Sequence, residues 1–193
     1  MFVCPNLTDL HCNCVAQEEL DAIAEKCRNI ESLALVAFGP LAPGHLRVAP
    51  ILRRCIVLRR LKLALYYTHP ADFAEMRCAA NLEELHFLPI SNAGCAALAT
   101  SAHLPQLRTL FIHGGDVTSA SIELIGVRLP QVTRLAVGLT DAGAEDIALL
   151  LAQPSVFPRL EALDVARDKD KVARLLAVVR PNVAVSSTRD RLL

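Results

Sequence analysis

Residues 82–112 read LEELHFLPISNAGCAALATSAHLPQLRTLFI. The stretch opens and closes on one spacing, Leu-x-x-Leu-x-Leu: first Leu82, Leu85 and Phe87, then Leu107, Leu110 and Ile112. The last two apolar positions of each are two apart, so both side chains fall on one face of a short strand. Between them, Ser91 and Asn92 precede AGCAALATSA, a run of small and apolar residues that suits a helix. A strand followed by a helix has apolar faces that it cannot bury alone; stacked on copies of itself, it can.

Outward from this stretch the spacing continues in both directions. It begins at Leu7, Ile30, Leu58, Leu82, Leu107, Val132 and Leu160, and Val183 and Val185 start a degenerate eighth. The intervals between starts are 23, 28, 24, 25, 25, 28 and 23 residues. Helical stripes with apolar positions three and four apart recur after the strands. Examples are Gln17 to Cys27, with Leu20, Ile23 and Ala24, and Ala142 to Ala152, with Thr140 or Asp141 as the expected cap. The reading is an α/β solenoid of about seven repeats, with a curved parallel sheet on the concave side and helices on the convex side. It spans residues 1–185 as one domain, and residues 186–193 form a polar tail. Lys169 to Val179 is expected to be a charged closing helix.

Composition agrees. Hydrophobic residues make up 53% of the 193, yet aromatics are only 4% and Trp is absent, so the core is aliphatic and layered. Cys4, Cys27 and Cys55 each lie three residues before the first apolar residue of a unit, where later units place Leu104, Leu129 and Phe157. That slot takes a buried apolar residue, and Cys serves there as a small hydrophobe.

The segments CPNLTDL at Cys4 to Leu10, CRNIESL at Cys27 to Leu33, ISNAG at Ile90 to Gly94 and LTDAG at Leu139 to Gly143 resemble the cysteine-containing subclass of leucine-rich repeats. The resemblance covers roughly Cys4 to Val185. It departs from the pattern where the cysteine slot is lost after the third unit and where the two 28-residue units carry extra loop. The subclass is common in F-box substrate receptors and related intracellular adaptors, so the resemblance implies protein–protein interaction. No F-box stands before the first repeat, and ubiquitin-ligase function therefore does not follow.

The period also gives the outward face of the sheet. From the first unit to the last it carries Asp9, His11 and Asn13; Ser32, Ala34 and Val36; Arg60, Lys62 and Ala64; Glu84, His86 and Leu88; Thr109, Phe111 and His113; Arg134, Ala136 and Gly138; and Ala162, Asp164 and Ala166. Apolar anchors among charges suit a protein partner. Arg60, Lys62, Glu84, His86, Leu88, Phe111, His113 and Arg134 are the expected partner-binding residues. The alternative is an RNA-contacting subunit of a ribonucleoprotein, through the cluster Arg53, Arg54, Arg59, Arg60 and Lys62. Against it stand a formal net charge of zero and few nearby aromatics, Tyr66 and Tyr67.

Nothing in the sequence marks an enzyme. No phosphate-binding glycine motif, nucleophile elbow or HExxH zinc motif occurs. His11, Cys12 and Cys14, with Cys4 and Cys27, do not form paired zinc knuckles, and Asp164, Asp168 and Asp170 read as a solvated turn rather than a calcium loop. No cofactor or metal is expected. Seven cysteines without a disulfide-scaffold spacing point to a reducing intracellular compartment, cytoplasmic or within an organelle. No membrane span is expected. Phe2, Val3 and Cys4 lead straight into a strand without a polar capping unit. Either the chain is a piece of a longer protein, or its first repeat docks edge-on against a partner within an assembly.

Overall fold

The computed structural model describes residues 6–13, 16–36, 46–64, 70–101, 104–114, 116–138, 143–166 and 168–187. Eight strands form one sheet in strict sequence order. They are β1 (Asp9–Asn13), β2 (Ser32–Val36), β3 (Arg60–Ala64), β4 (Glu84–Phe87), β5 (Thr109–Ile112), β6 (Arg134–Val137), β7 (Ala162–Val165) and β8 (Ala184–Ser187). Every neighbouring pair is parallel. The helices between them are α1 (Gln17–Lys26), α2 (Ala49–Arg54), α3 (Pro70–Ala74), α4 (Asn92–Ser101), α5 (Ser119–Arg128), α6 (Ala144–Ala152) and α7 (Lys169–Val179), with a 3-10 turn at Glu75–Cys78. This is an α/β solenoid-like architecture.

Register follows the apolar spacing. Leu10, Leu33, Leu61, Leu85, Leu110, Leu135, Leu163 and Val185 stand side by side across the sheet. From Leu33 to Leu163 this row is at most 2% exposed. It belongs to one core shared with helix residues such as Leu20, Ile51, Leu98, Ile122, Leu151 and Leu176. Burying each such leucine is worth about 1.5–3 kcal/mol, so the row is the main adhesive between units.

Backbone geometry repeats with the same period. The carbonyl after the first apolar residue accepts two N–H groups from the next unit: Thr8 from Glu31 and Ser32 at 2.8 and 3.0 Å, Arg108 from Thr133 and Arg134 at 2.9 and 2.9 Å. The cysteine slot is the turn from helix to strand. Cys27, Cys55 and Leu129 donate their N–H groups to Ile23, Ile51 and Ile125 at 2.9, 2.8 and 2.8 Å, and all three side chains are buried. Arg180 holds the slot in the last unit, and its guanidinium donates to the carbonyls of Gln153, Val156 and Phe157 at 2.6, 2.8 and 2.9 Å. The charged group thus takes up carbonyls left at the end of α6 and in the turn that follows. Gly126 on α5 permits the same turn to come close, since a Cβ there would lie 2.6 Å from Val156.

Two expectations are corrected. Gly143, not Thr140 or Asp141, is the N-cap of α6, and the Asp146 carboxylate accepts its N–H at 3.2 Å. Thr140 and Asp141 lie outside the described residues. Ser186 and Ser187 belong to β8, in register with Asp164 and Val165, rather than to a tail. Ser91, which precedes the helical run, caps α4, its hydroxyl accepting the Gly94 N–H at 3.1 Å.

Candidate functional site

The face of the sheet away from the helices carries the outward residues in two registered rows. Asp9, Ser32, Arg60, Glu84, Thr109, Arg134 and Ala162 form one; His11, Ala34, Lys62, His86, Phe111, Ala136 and Asp164 form the next. Leu88, His113, Gly138 and Ala166 continue the ladder beyond the strand ends, donating to the carbonyls of Leu63, Phe87, Ile112 and Val137 at 2.9, 3.1, 2.8 and 3.1 Å. The eight residues expected to bind a partner therefore share this open face.

Their exposures differ from the expectation in one respect. Phe111 is not a free anchor: it is 6% exposed. The imidazole of His86 stacks on it at 5.4 Å and 24°, and that of His113 at 6.4 Å and 14°. The centre of this face thus presents two half-buried histidines beside a buried phenylalanine. His113 in turn covers Gly138, where a Cβ would lie 2.3 Å from the ring Nδ1. Burial holds the His113 pKa below its ordinary value. Glu84 Oε1 lies 2.6 Å from His86 Nε2, close but poorly aligned for a hydrogen bond. That side-chain contact, ahead of the charges of Arg60 and Arg134, holds the Glu84 carboxyl below its usual range.

The basic cluster is largely neutralised within the chain. Arg53 makes a bidentate contact with Glu75 at 2.9 and 2.6 Å. Arg54 faces Glu25 at 3.5 Å, Arg59 faces Glu83 at 2.9 Å and Glu31 at 3.9 Å, and Arg60 faces Asp9 at 3.6 Å. Lys62 has no such carboxylate among the described residues. It stands in an open groove of about 630 Å³ with His11, Cys12, Asn13, Val36, Ala64 and Leu88.

Two of the described thiols are held protonated by burial. Burial pushes the Cys55 thiol up to about 11, helped by Cys27, and the Cys95 thiol up to about 12, helped by Asp116. His11 is exposed while Cys12 packs against the core, and Cys4 and Cys14 lie outside the described residues. Among the described residues no three His, Cys, Asp or Glu side chains converge. Asp164 is not in a solvated turn: it sits on β7 at 6% exposure, whereas Asp168 precedes α7 at φ 52° and Asp170 lies in its first turn. No described helix is long and apolar enough to cross a membrane.

Sequence reasoning missed two polar devices. Asp72, fully buried, accepts from the Arg47 guanidinium at 2.7 Å and the Val48 N–H at 2.9 Å. Asn92 accepts from the Thr118 N–H at 3.1 Å and donates to the Asp116 carbonyl, tying two units together. Only the odd placement of a carboxylate within an apolar helix, PADFA, signals the first.

No family model and no curated protein matches this chain. Among solved structures, a crystal structure of a Bacteroides fragilis protein is similar at 14% identity, with a TM-score of 0.60, over 94% of this chain. The match spans 66% of that protein's chain. At that identity the likeness concerns the fold alone.

Proposed function

We propose that the chain is a leucine-rich-repeat interaction module without catalytic activity, which holds a protein partner on a concave sheet face. It would serve as an adaptor or a structural subunit of a larger intracellular assembly. The observation that carries this reading is the contrast between the arginines of the Arg53–Arg60 cluster, each of which faces a carboxylate, and the compact centre of His86, Phe111, His113 and Leu88 on the open face. Guanidiniums that already face carboxylates, as those of Arg53, Arg54, Arg59 and Arg60 do, have little net attraction for a phosphate backbone. The open face retains the mix of aromatic, aliphatic and charged groups from which protein hot spots are built. The buried thiols, raised far above neutrality, are poor nucleophiles, which favours binding over catalysis.

The test is crosslinking mass spectrometry on the complex purified natively with the full chain as bait, using an amine-reactive reagent. Protein crosslinks through Lys62 are expected. Co-purified RNA, with a steep salt dependence that is lost when Arg59, Arg60 and Lys62 are neutralised, would support the ribonucleoprotein alternative instead.

A further inference from the structure

The groove at the C-terminal ends of β1 to β4 combines an unmatched cation with an apolar wall. Lys62 is half-buried at its floor. Its neighbours in the row are Ala34, too small to cover it, and His86. Of the carboxylates in the adjoining row, Asp9 faces Arg60 at 3.6 Å and Glu84 lies against His86 at 2.6 Å. Residues 37–45 and 65–69, the segments that follow β2 and β3 in the chain, contain no Asp or Glu. Among the described residues no carboxylate stands within ion-pair distance of Lys62, although one faces each of the four arginines in the cluster. Val36, Ala64 and Leu88 stand beside it in the same groove. A long lysine stem lying along apolar surface with its ammonium unpaired is half of a recognition site for an anion carried on an apolar segment.

We propose that this groove binds an extended peptide segment with an Asp or Glu next to an aliphatic side chain. The carboxylate is received by Lys62, and the aliphatic group is received by Val36, Ala64 and Leu88. The proposal rests on the reading of the open face as a protein-binding surface and names the chemistry of the partner there. Charge complementarity selects a carboxylate. The adjoining apolar wall suits an aliphatic side chain better than a base, and among the described residues of this face the one phenyl ring, Phe111, is covered and cannot stack on a base.

The experiment is selection of a random dodecapeptide display library on the full-length chain at neutral pH, followed by affinity measurement of the enriched peptides. Enrichment of Asp or Glu beside Leu, Ile or Val is expected. Affinity should fall about tenfold in Lys62→Met, equivalent to about 1.4 kcal/mol, fall further in Lys62→Glu and survive in Lys62→Arg. Retention in Lys62→Arg separates lost charge from a misfolded variant. Enriched peptides with no acidic bias, weakened by Arg134→Glu but indifferent to Lys62, would overturn the groove proposal and leave the open-face reading standing. No enriched peptide, or binding indifferent to Lys62, Leu88 and Arg134 alike, would overturn both. Binding of a single-stranded RNA oligomer that depends on Lys62, with no peptide enriched, would overturn both in favour of RNA.

Discussion

The two faces of this sheet obey different rules. On the helix side Leu33, Leu61, Leu85, Leu110, Leu135 and Leu163 repeat without exception, because each must fill the same space between the same neighbours. On the open side, the registered positions run Asp9, Ser32, Arg60, Glu84, Thr109, Arg134 and Ala162, with no repeat at all. Packing imposes periodicity; where periodicity fails, the residues are released from packing and available for recognition. Individual positions on the open face depart from that division. Phe111, against which His86 and His113 stack, and Asp164 are outward in register yet buried.

The largest effect should come from breaking the periodic face. Leu110→Ala should cost about 2–5 kcal/mol of stability in denaturant unfolding, while Lys62→Met on the opposite face should stay within about 0.5 kcal/mol. Equal losses would mean that the faces are not distinct. Next is Asp72→Ala, which leaves the Val48 N–H without its acceptor and should cost about 1–3 kcal/mol. Gly138→Ala drives a methyl into the His113 ring and should cost about 1–3 kcal/mol, largely recovered in the double variant with His113→Ala. Additive losses in that double-mutant cycle would show that the two residues do not touch.

A smaller effect concerns acid. Burial lowers the His113 pKa below 6.5, so the unfolded chain binds the proton more readily than the folded one. Its contribution to stability is therefore complete above the unfolded value and declines as pH falls below it. Glu84 is depressed as well, so its contribution is present above the usual carboxylate value of 4.5 and lost as pH falls through the folded one. Comparing His113→Phe with the parent chain in pH-dependent unfolding should remove the first decline and leave the second.

The register was legible because it follows from one spacing, which fixes both faces at once. The cysteine slot was legible for the same reason: Cys27, Cys55, Leu104, Leu129 and Phe157 share a position and are all buried. What could not be read depends on distances between units rather than on spacing within them. Stacking of His86 and His113 on Phe111, the cover that His113 gives Gly138, and the reach of Asp72 back to Val48 all join residues 22 or more apart in sequence, save the Phe111–His113 pair itself. The α6 cap was not legible because Gly143 has no side chain to mark it; its N–H is instead taken up by the Asp146 carboxylate inside the helix.

The claim that recognition belongs to the open face is tested most directly by site-specific photo-crosslinking. A photoreactive side chain is placed at Leu88 on that face in one preparation, and at Leu149, 69% exposed on α6, in another. Each chain is irradiated after native purification with whatever proteins accompany it. Protein adducts from position 88 and none from position 149 are expected. Adducts from position 149 alone would contradict the claim and place the partner on the helices.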